Sequence, residues 1–154
     1  MKKRYAISKE TQNKDNYRKE NKMLKCLPIQ SKAEQENICL ACGVKYNPDL
    51  LAYSATVDDR LVGVSQFKLT DKGGIVYDLA PVKDTFDFES LFVLGRGTLN
   101  FIDLCGVHKA VFVGDIPDEQ TERLIKAVGF KKNEDGTYTV DLEGFFTDHC
   151  HDKK

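Results

Sequence analysis

The 154-residue chain predicts a mixed α/β fold of the α+β type, an antiparallel meander followed by a strand, helix, strand crossover that adds a parallel strand. Three observations carry that prediction. Residues 50–57, 61–69 and 75–80 are β-rich runs joined by short polar turns, the pattern of successive hairpins. From Phe88 the period changes: Phe88, Leu91, Phe92, Gly95, Leu99, Ile102 and Cys105 recur at steps of three and four, tracing one face of a helix of about five turns. Residues 108–113 then form a short, continuous apolar run, the kind buried in a parallel pair.

The remaining elements follow in order. Residues 23–29 alternate enough for a first strand. Ser31 with Glu34 forms a capping box, which opens a helix over residues 32–42 that Gly43 stops. The chain to Asp49 reads as a loop or a short, irregular helix. Asp58-Asp59-Arg60 turns the first hairpin, and Asp71-Lys72-Gly73-Gly74 leads into the last strand of the meander. The crossover through the long helix is expected to be right-handed. Pro117 opens a further helix through Val128, stopped by Gly129. Residues 130–132 and 137–142 flank Asn133-Glu134-Asp135-Gly136, a hairpin turn. The order is β-α-β-β-β-α-β-α-β-β, with no internal repeat.

A hydrophobic content of 41% fits one core, assigned to residues 23–147 as a single domain. Residues 1–22 hold eight Lys and Arg against three Asp and Glu, or +5, which leaves −6 for the rest of a chain of formal charge −1. A basic tail attracts polyanions, but this one lacks clustered arginines and interleaved aromatics, so it reads as a solvated, poorly ordered segment rather than a nucleic-acid arm. No run has the length of a membrane span, and the N-terminus has no apolar signal centre. A cytoplasmic protein is expected, with its five cysteines as reduced thiols.

Gly95-Arg96-Gly97 has the look of a phosphate loop. Such a loop works where bare N–H groups meet a helix N-terminus. The apolar stripe puts both glycines mid-helix, where their N–H groups serve the helix itself and each Gly costs about 1 kcal/mol relative to Ala. Gly95 falls on the buried stripe, a place for close approach to a neighbouring layer. Gly97 points elsewhere.

The order of elements, with TVDDRLVGVSQF at 56–67 and LIKAVGF at 124–130, resembles the GNAT family of acetyl-CoA dependent N-acetyltransferases over roughly residues 23–146. The resemblance implies that acetyl-CoA lies where the last meander strand splays from the parallel strand, its pantetheine arm pairing like an added strand. Its pyrophosphate would sit on an R/Q-x-x-G-x-G/A loop that begins the following helix. With Gly95 and Gly97 as the motif glycines, Phe92 takes the R/Q position and Gly106 comes only nine positions after Gly97, too soon for the family's long helix. Aligning the helix ends instead places the loop on residues 86–91, with Glu89 and Leu91 at the glycine positions and Asp87 beside them. This second register agrees with the stripe. It sets carboxylates where a polyanion should bind, an arrangement that equally describes a well-capped helix.

On this register the resemblance implies a cofactor set of Leu79, Ala80, Val82, Phe86, Phe88, Glu89 and Ser90. The family's tyrosine general acid, five residues before the Phe of the Gly-Phe pair, falls on Ile125, which has no proton to donate. Its base, a carboxylate on the last meander strand, falls on Asp78. That residue is expected to share a face with Val76 and Ala80, where burial would raise its pKa.

Cys39-x-x-Cys42 and the terminal His149-Cys150-His151 offer thiolate and imidazole ligands enough for a zinc site. Cys39 and Cys42 lie in a predicted helix, where they equally serve as small apolar residues. A redox role is disfavoured because the pair does not open a helix after a strand. Two functions follow as expectations: acetyl transfer from acetyl-CoA to a small amine, by a chain that could act as a homodimer, or a non-catalytic GNAT-fold binding or regulatory module, with metal at its cysteines.

Overall fold

The computed structural model describes residues 22–147. Its strands are β1 (Leu24–Pro28), β2 (Leu51–Val57), β3 (Arg60–Thr70), β4 (Gly73–Pro81), β5 (Lys109–Phe112), β6 (Lys131–Lys132) and β7 (Tyr138–Asp141). Its helices are α1 (Lys32–Ala41), α2 (Phe88–Leu104) and α3 (Glu119–Val128). All seven strands form one sheet, ordered β1-β2-β3-β4-β5-β7-β6. β4 and β5 run parallel and every other neighbouring pair is antiparallel, the meander and crossover that the pattern predicts.

Local chemistry sets the boundaries. Ser31 Oγ accepts from the Glu34 N–H at 3.0 Å, capping α1 as read, and the helix ends one residue early because Cys42 is its C-cap. Asp58 and Asp59 both take positive φ, +51° and +68°, the two left-handed positions a two-residue hairpin requires. The α3 helix starts later than Pro117. Asp118 caps it, its carboxylate accepting from the Thr121 N–H at 2.8 Å.

Ser65 and Phe67 on β3 face α2: Thr98 Oγ1 bonds the Ser65 hydroxyl at 3.0 Å, and Phe67 stacks edge-on against Phe101. Gln66, between them, therefore faces the opposite side, where it meets α1. On the α2 side the core gathers Val76, Leu79, Leu91, Leu94, Leu99, Ile102, Leu124 and Val128, all buried. The predicted stripe needs two corrections. Cys105 is exposed, because the helix has ended at Leu104, and Leu94 and Thr98 join the buried face, which is wider than a single line of side chains.

Gly95-Arg96 is the joint between α2 and α3. A Cβ on Gly95 would lie 2.7 Å from Val128 Cγ2 and 3.0 Å from Leu79 Cδ2, so the bare backbone admits both α3 and the sheet. Arg96 reaches over the end of α3, donating from Nε to Val128 O at 2.7 Å and from Nη2 to Ala127 O at 3.4 Å. Its guanidinium also stacks on Phe92 and Phe145, 4.8 and 5.0 Å from the ring centres. It thus satisfies carbonyls that a helix C-terminus leaves without partners. Gly97 has open space around it, and nothing in the structure explains it.

Candidate active site

The β4–β5 ladder stops short. Parallel pairing runs from Gly74 opposite Ala110 to Val76 opposite Phe112, and Val113 N donates to Val76 O at 2.9 Å. Gly114 then passes so close to β4 that a Cβ there would sit 2.6 Å from Tyr77 O. Beyond it β5 has ended, while β4 continues to Pro81. The two strands therefore part, and residues 77–81 keep a free backbone edge. A cavity of about 330 Å³ fills the opening, lined on the β4 side by Asp78, Leu79, Ala80 and Pro81 and opposite by Phe112, Asp115 and Pro117.

A bulge in β4 accompanies the parting. Gln66 pairs with Asp78 but Phe67 pairs with Val76, so Tyr77 is the extra residue. Side-chain alternation breaks there. Val76 and Leu79, three apart, both enter the α2-side core, and Asp78 is turned to the α1 side. The expectation that Asp78 shares a face with Val76 is thus incorrect; its place alongside Ala80 stands, because alternation resumes after the bulge.

Asp78 is half-buried. Burial pushes its carboxyl above the usual range, Asp115 across the cavity adds to that, and a bond from Gln66 Nε2 to Oδ2 at 2.6 Å opposes both. The result is a carboxylate at the mouth of the cleft that takes up a proton more readily than a surface aspartate.

The structure divides the predicted cofactor residues. Leu79, Ala80 and Phe86 line the cleft with Asp78. Phe88, Glu89 and Ser90 line a different groove of about 510 Å³, against Leu24 and Val57. Ser90 is buried, its hydroxyl donating to Asp87 Oδ2 at 2.8 Å. Val82 turns its N–H to β3, donating to Val62 O at 2.9 Å. With the Val82 N–H on that edge, strand alternation puts the Ala80 N–H there as well and leaves Leu79 facing the cleft; Pro81 has no N–H. In the turn before α2, the N–H of Lys83 bonds Ala41 O and that of Thr85 bonds Val82 O. Asp87 Oδ1 accepts the Ser90 N–H at 3.2 Å, so the helix N-terminus already carries a carboxylate, with Glu89 exposed beside it. Ile125, at the family's tyrosine position, is fully buried in the core.

A larger groove, of about 1100 Å³, lies at the far end of the sheet along residues 70–75, 108–111 and 139–143. Among the described residues, none of the predicted site residues lines it.

Cys39 and Cys42 point inward, 0% and 6% exposed. Burial pushes their thiols up to about 11 and about 12, with Asp78 adding to both. Such burial favours the protonated, packed thiol over the thiolate that zinc requires. Among the described residues no three His, Cys, Asp or Glu side chains gather to hold an ion. His149, Cys150 and His151 lie outside the described residues, as does the basic tail up to residue 21. Among the described residues no helix is long and apolar enough to cross a membrane. Gln66 and Gln35 were not singled out by the sequence, although a lone glutamine inside the VSQF run of a strand is a signal of a buried polar contact.

No family model matches the chain, and no curated protein does. Solved structures do. A Bacillus subtilis acetyltransferase in complex with CoA superposes with a TM-score of 0.61 at 15% identity, covering 78% of this chain and 99% of its own. The ribosomal-protein-S18-alanine N-acetyltransferase of Escherichia coli gives 0.60 at 10% identity, over 78% and 94%. PaiA N-acetyltransferase from Thermoplasma acidophilum, in complex with coenzyme A, gives 0.60 at 11%, over 77% and 99%. At such identities the likeness speaks for architecture alone, and over nearly the full length of each neighbour that architecture is shared: this chain has the GNAT N-acetyltransferase fold.

Proposed function

We propose that the protein transfers an acetyl group from acetyl-CoA to a small amine at the β4–β5 cleft, with Asp78 as general base. The observation that carries the reading is the parting of β4 from β5 at Val76, with a carboxylate set at its mouth. Acetyl-CoA supplies an activated acetyl thioester, and two of the similar structures hold CoA. The free β4 edge suits an extended pantetheine arm, bonded as an added strand. An amine attacks only when neutral; Asp78 accepts at its carboxylate the proton that the attacking nitrogen sheds as the N–C bond forms, and the thioester C–S bond breaks to release CoA as a thiolate that takes its proton from solvent. The Leu79 N–H, on the open edge, is the donor for an oxygen that gains negative charge during attack. Pro81, Phe86 and Phe112 give the cleft an apolar wall beside that edge.

The fit is weaker at the pyrophosphate end. Phe88 and Glu89 present first-turn N–H groups without intrahelical acceptors, but Asp87 and Glu89 set negative charge beside them. That observation, with Ile125 in the core, supports the second reading, a GNAT-fold module that binds without catalysing. Assay of acetyl transfer to a panel of small primary amines separates the two. On the enzyme reading Asp78→Asn lowers kcat by about 10²- to 10⁴-fold; transfer that is undetectable with every amine, or undiminished in Asp78→Asn, rejects Asp78 as the base.

A further inference from the structure

A chain of side chains runs along the α1 face of the sheet to Asp78. Lys32 Nζ donates to Gln35 Oε1 at 3.2 Å and to Leu50 O at 2.7 Å. Gln35 Nε2 donates to Gln66 Oε1 at 2.9 Å. Gln66 Nε2 in turn donates to Asp78 Oδ2 at 2.6 Å and to Lys45 O at 2.9 Å. Both glutamines are buried, at 1% and 0% exposure. The amide orientation of Gln66 is determined by its partners: its oxygen meets the donors of Gln35 and the Asn47 N–H, while its nitrogen meets a carboxylate and a carbonyl. Reversing it would set oxygen against the Asp78 carboxylate and the Lys45 carbonyl, and donor against donor at Gln35 and Asn47.

The series begins at an ammonium and ends at a carboxylate, and every amide points its positive end toward Asp78. Bonds aligned in this way polarise one another. Apolar residues of the same shape would fill the space with no polar group to desolvate, so packing alone does not account for two buried glutamines.

We propose that Gln66 is the positioning residue of Asp78, with Gln35 and Lys32 fixing Gln66, so that Oδ2 is held in the protein and Oδ1 is left as the proton acceptor in the cleft. The inference rests on Asp78 being the base. Other groups face the same carboxyl: the Cys39 and Cys42 thiols from α1, Asp115 beyond the end of β5, and Asp118 at the cap of α3 on the cleft wall. Burial and Asp115 favour the protonated acid, and the Gln66 bond favours the carboxylate. Removing that bond therefore moves the titration upward.

Gln66→Met keeps an unbranched side chain of similar length and removes the donor; Gln35→Met leaves Gln66 in place without its orienting partner. Two readouts apply to the full chain: the pH profile of kcat, and the ¹³C carboxyl titration of labelled aspartate, with the Asp78 signal assigned by its loss in Asp78→Asn. In Gln66→Met, kcat falls about ten- to a hundredfold with KM for acetyl-CoA unchanged, and both the acid limb and the Asp78 titration move to higher pH. Gln35→Met moves them the same way by less. An Asp78 titration and acid limb that stay at the wild-type pH in Gln66→Met overturn the proposal. If thermal melts find Gln66→Met unfolded, the same two readouts on Gln35→Met decide it. Full activity in Asp78→Asn is a separate failure, that of the base itself; an inactive Asp78→Asn with an unmoved Gln66→Met is the failure of the positioning role.

Discussion

Gly95 and Arg96 dock one helix onto another, and the two glycines that flank Arg96 have opposite consequences. A Cβ at Gly95 meets the branched end of Val128 and Leu79 inside 3.1 Å, neither of which is a long side chain able to swing away. Gly95→Ala is expected to destabilise by about 1–3 kcal/mol through overpacking. Gly97 has nothing within 4 Å, so Gly97→Ala is expected to stabilise by about 0.5–1 kcal/mol, the ordinary gain of Ala over Gly in a helix. Urea unfolding of the two variants checks both signs. The buried thiols supply a pH dependence at the same scale. Cys39 and Cys42 are pushed from 9.0 up to about 11 and about 12, so the folded chain keeps protons that the unfolded chain loses. Their contribution to stability is full below about pH 9 and is lost as the pH climbs through the folded values. Denaturant midpoints should fall between about pH 8 and about pH 11 in the wild type, and fall less in a Cys39→Ala, Cys42→Ala variant; an equal fall in both would refute this origin.

Among the elements, the decisive ones are β4 and the first turn of α2. Asp87 caps α2 and Glu89 adds charge beside it, a stabilising use of the helix dipole that opposes a bound polyanion. Replacing both by amides keeps the cap, since Asn caps as well as Asp, and removes two negative charges. The Asp87→Asn, Glu89→Gln variant is expected to bind CoA about tenfold more tightly, the size of two exposed charge interactions at close range; unchanged affinity in titration calorimetry would place the pyrophosphate elsewhere. The α2 stripe was legible because its period is set by one helix face. The β4 bulge was not: nothing about Tyr77, neither a glycine nor a proline, marks it in the sequence, and it sits where Gly114 passes close to the Tyr77 carbonyl beyond the end of β5. An error of one residue in alternation there turned Val76 and Asp78 to the same face. Arg96 was equally hidden, since the carbonyls it caps lie 31 and 32 residues away in the chain.

For the whole molecule, the order of ten elements and the parallel β4–β5 pair could be read directly from alternation, turns and one long amphipathic helix, since each of those signals is local. What joins them is not local: the hydrogen-bonded line from Lys32 to Asp78 needs α1, β3 and β4 assembled before it exists. The same assembly creates the cleft, whose opening depends on β5 stopping four residues after it starts while β4 runs on. On the proposed function, that free strand edge receives the pantetheine arm. Titrating acetyl-CoA and CoA into the purified protein by calorimetry tests this most directly. One molecule is expected to bind per chain with a matching rise in melting temperature, retained in Asp78→Asn because Asp78 is proposed as the base and not as a binding group. No heat and no thermal shift at millimolar ligand would contradict it.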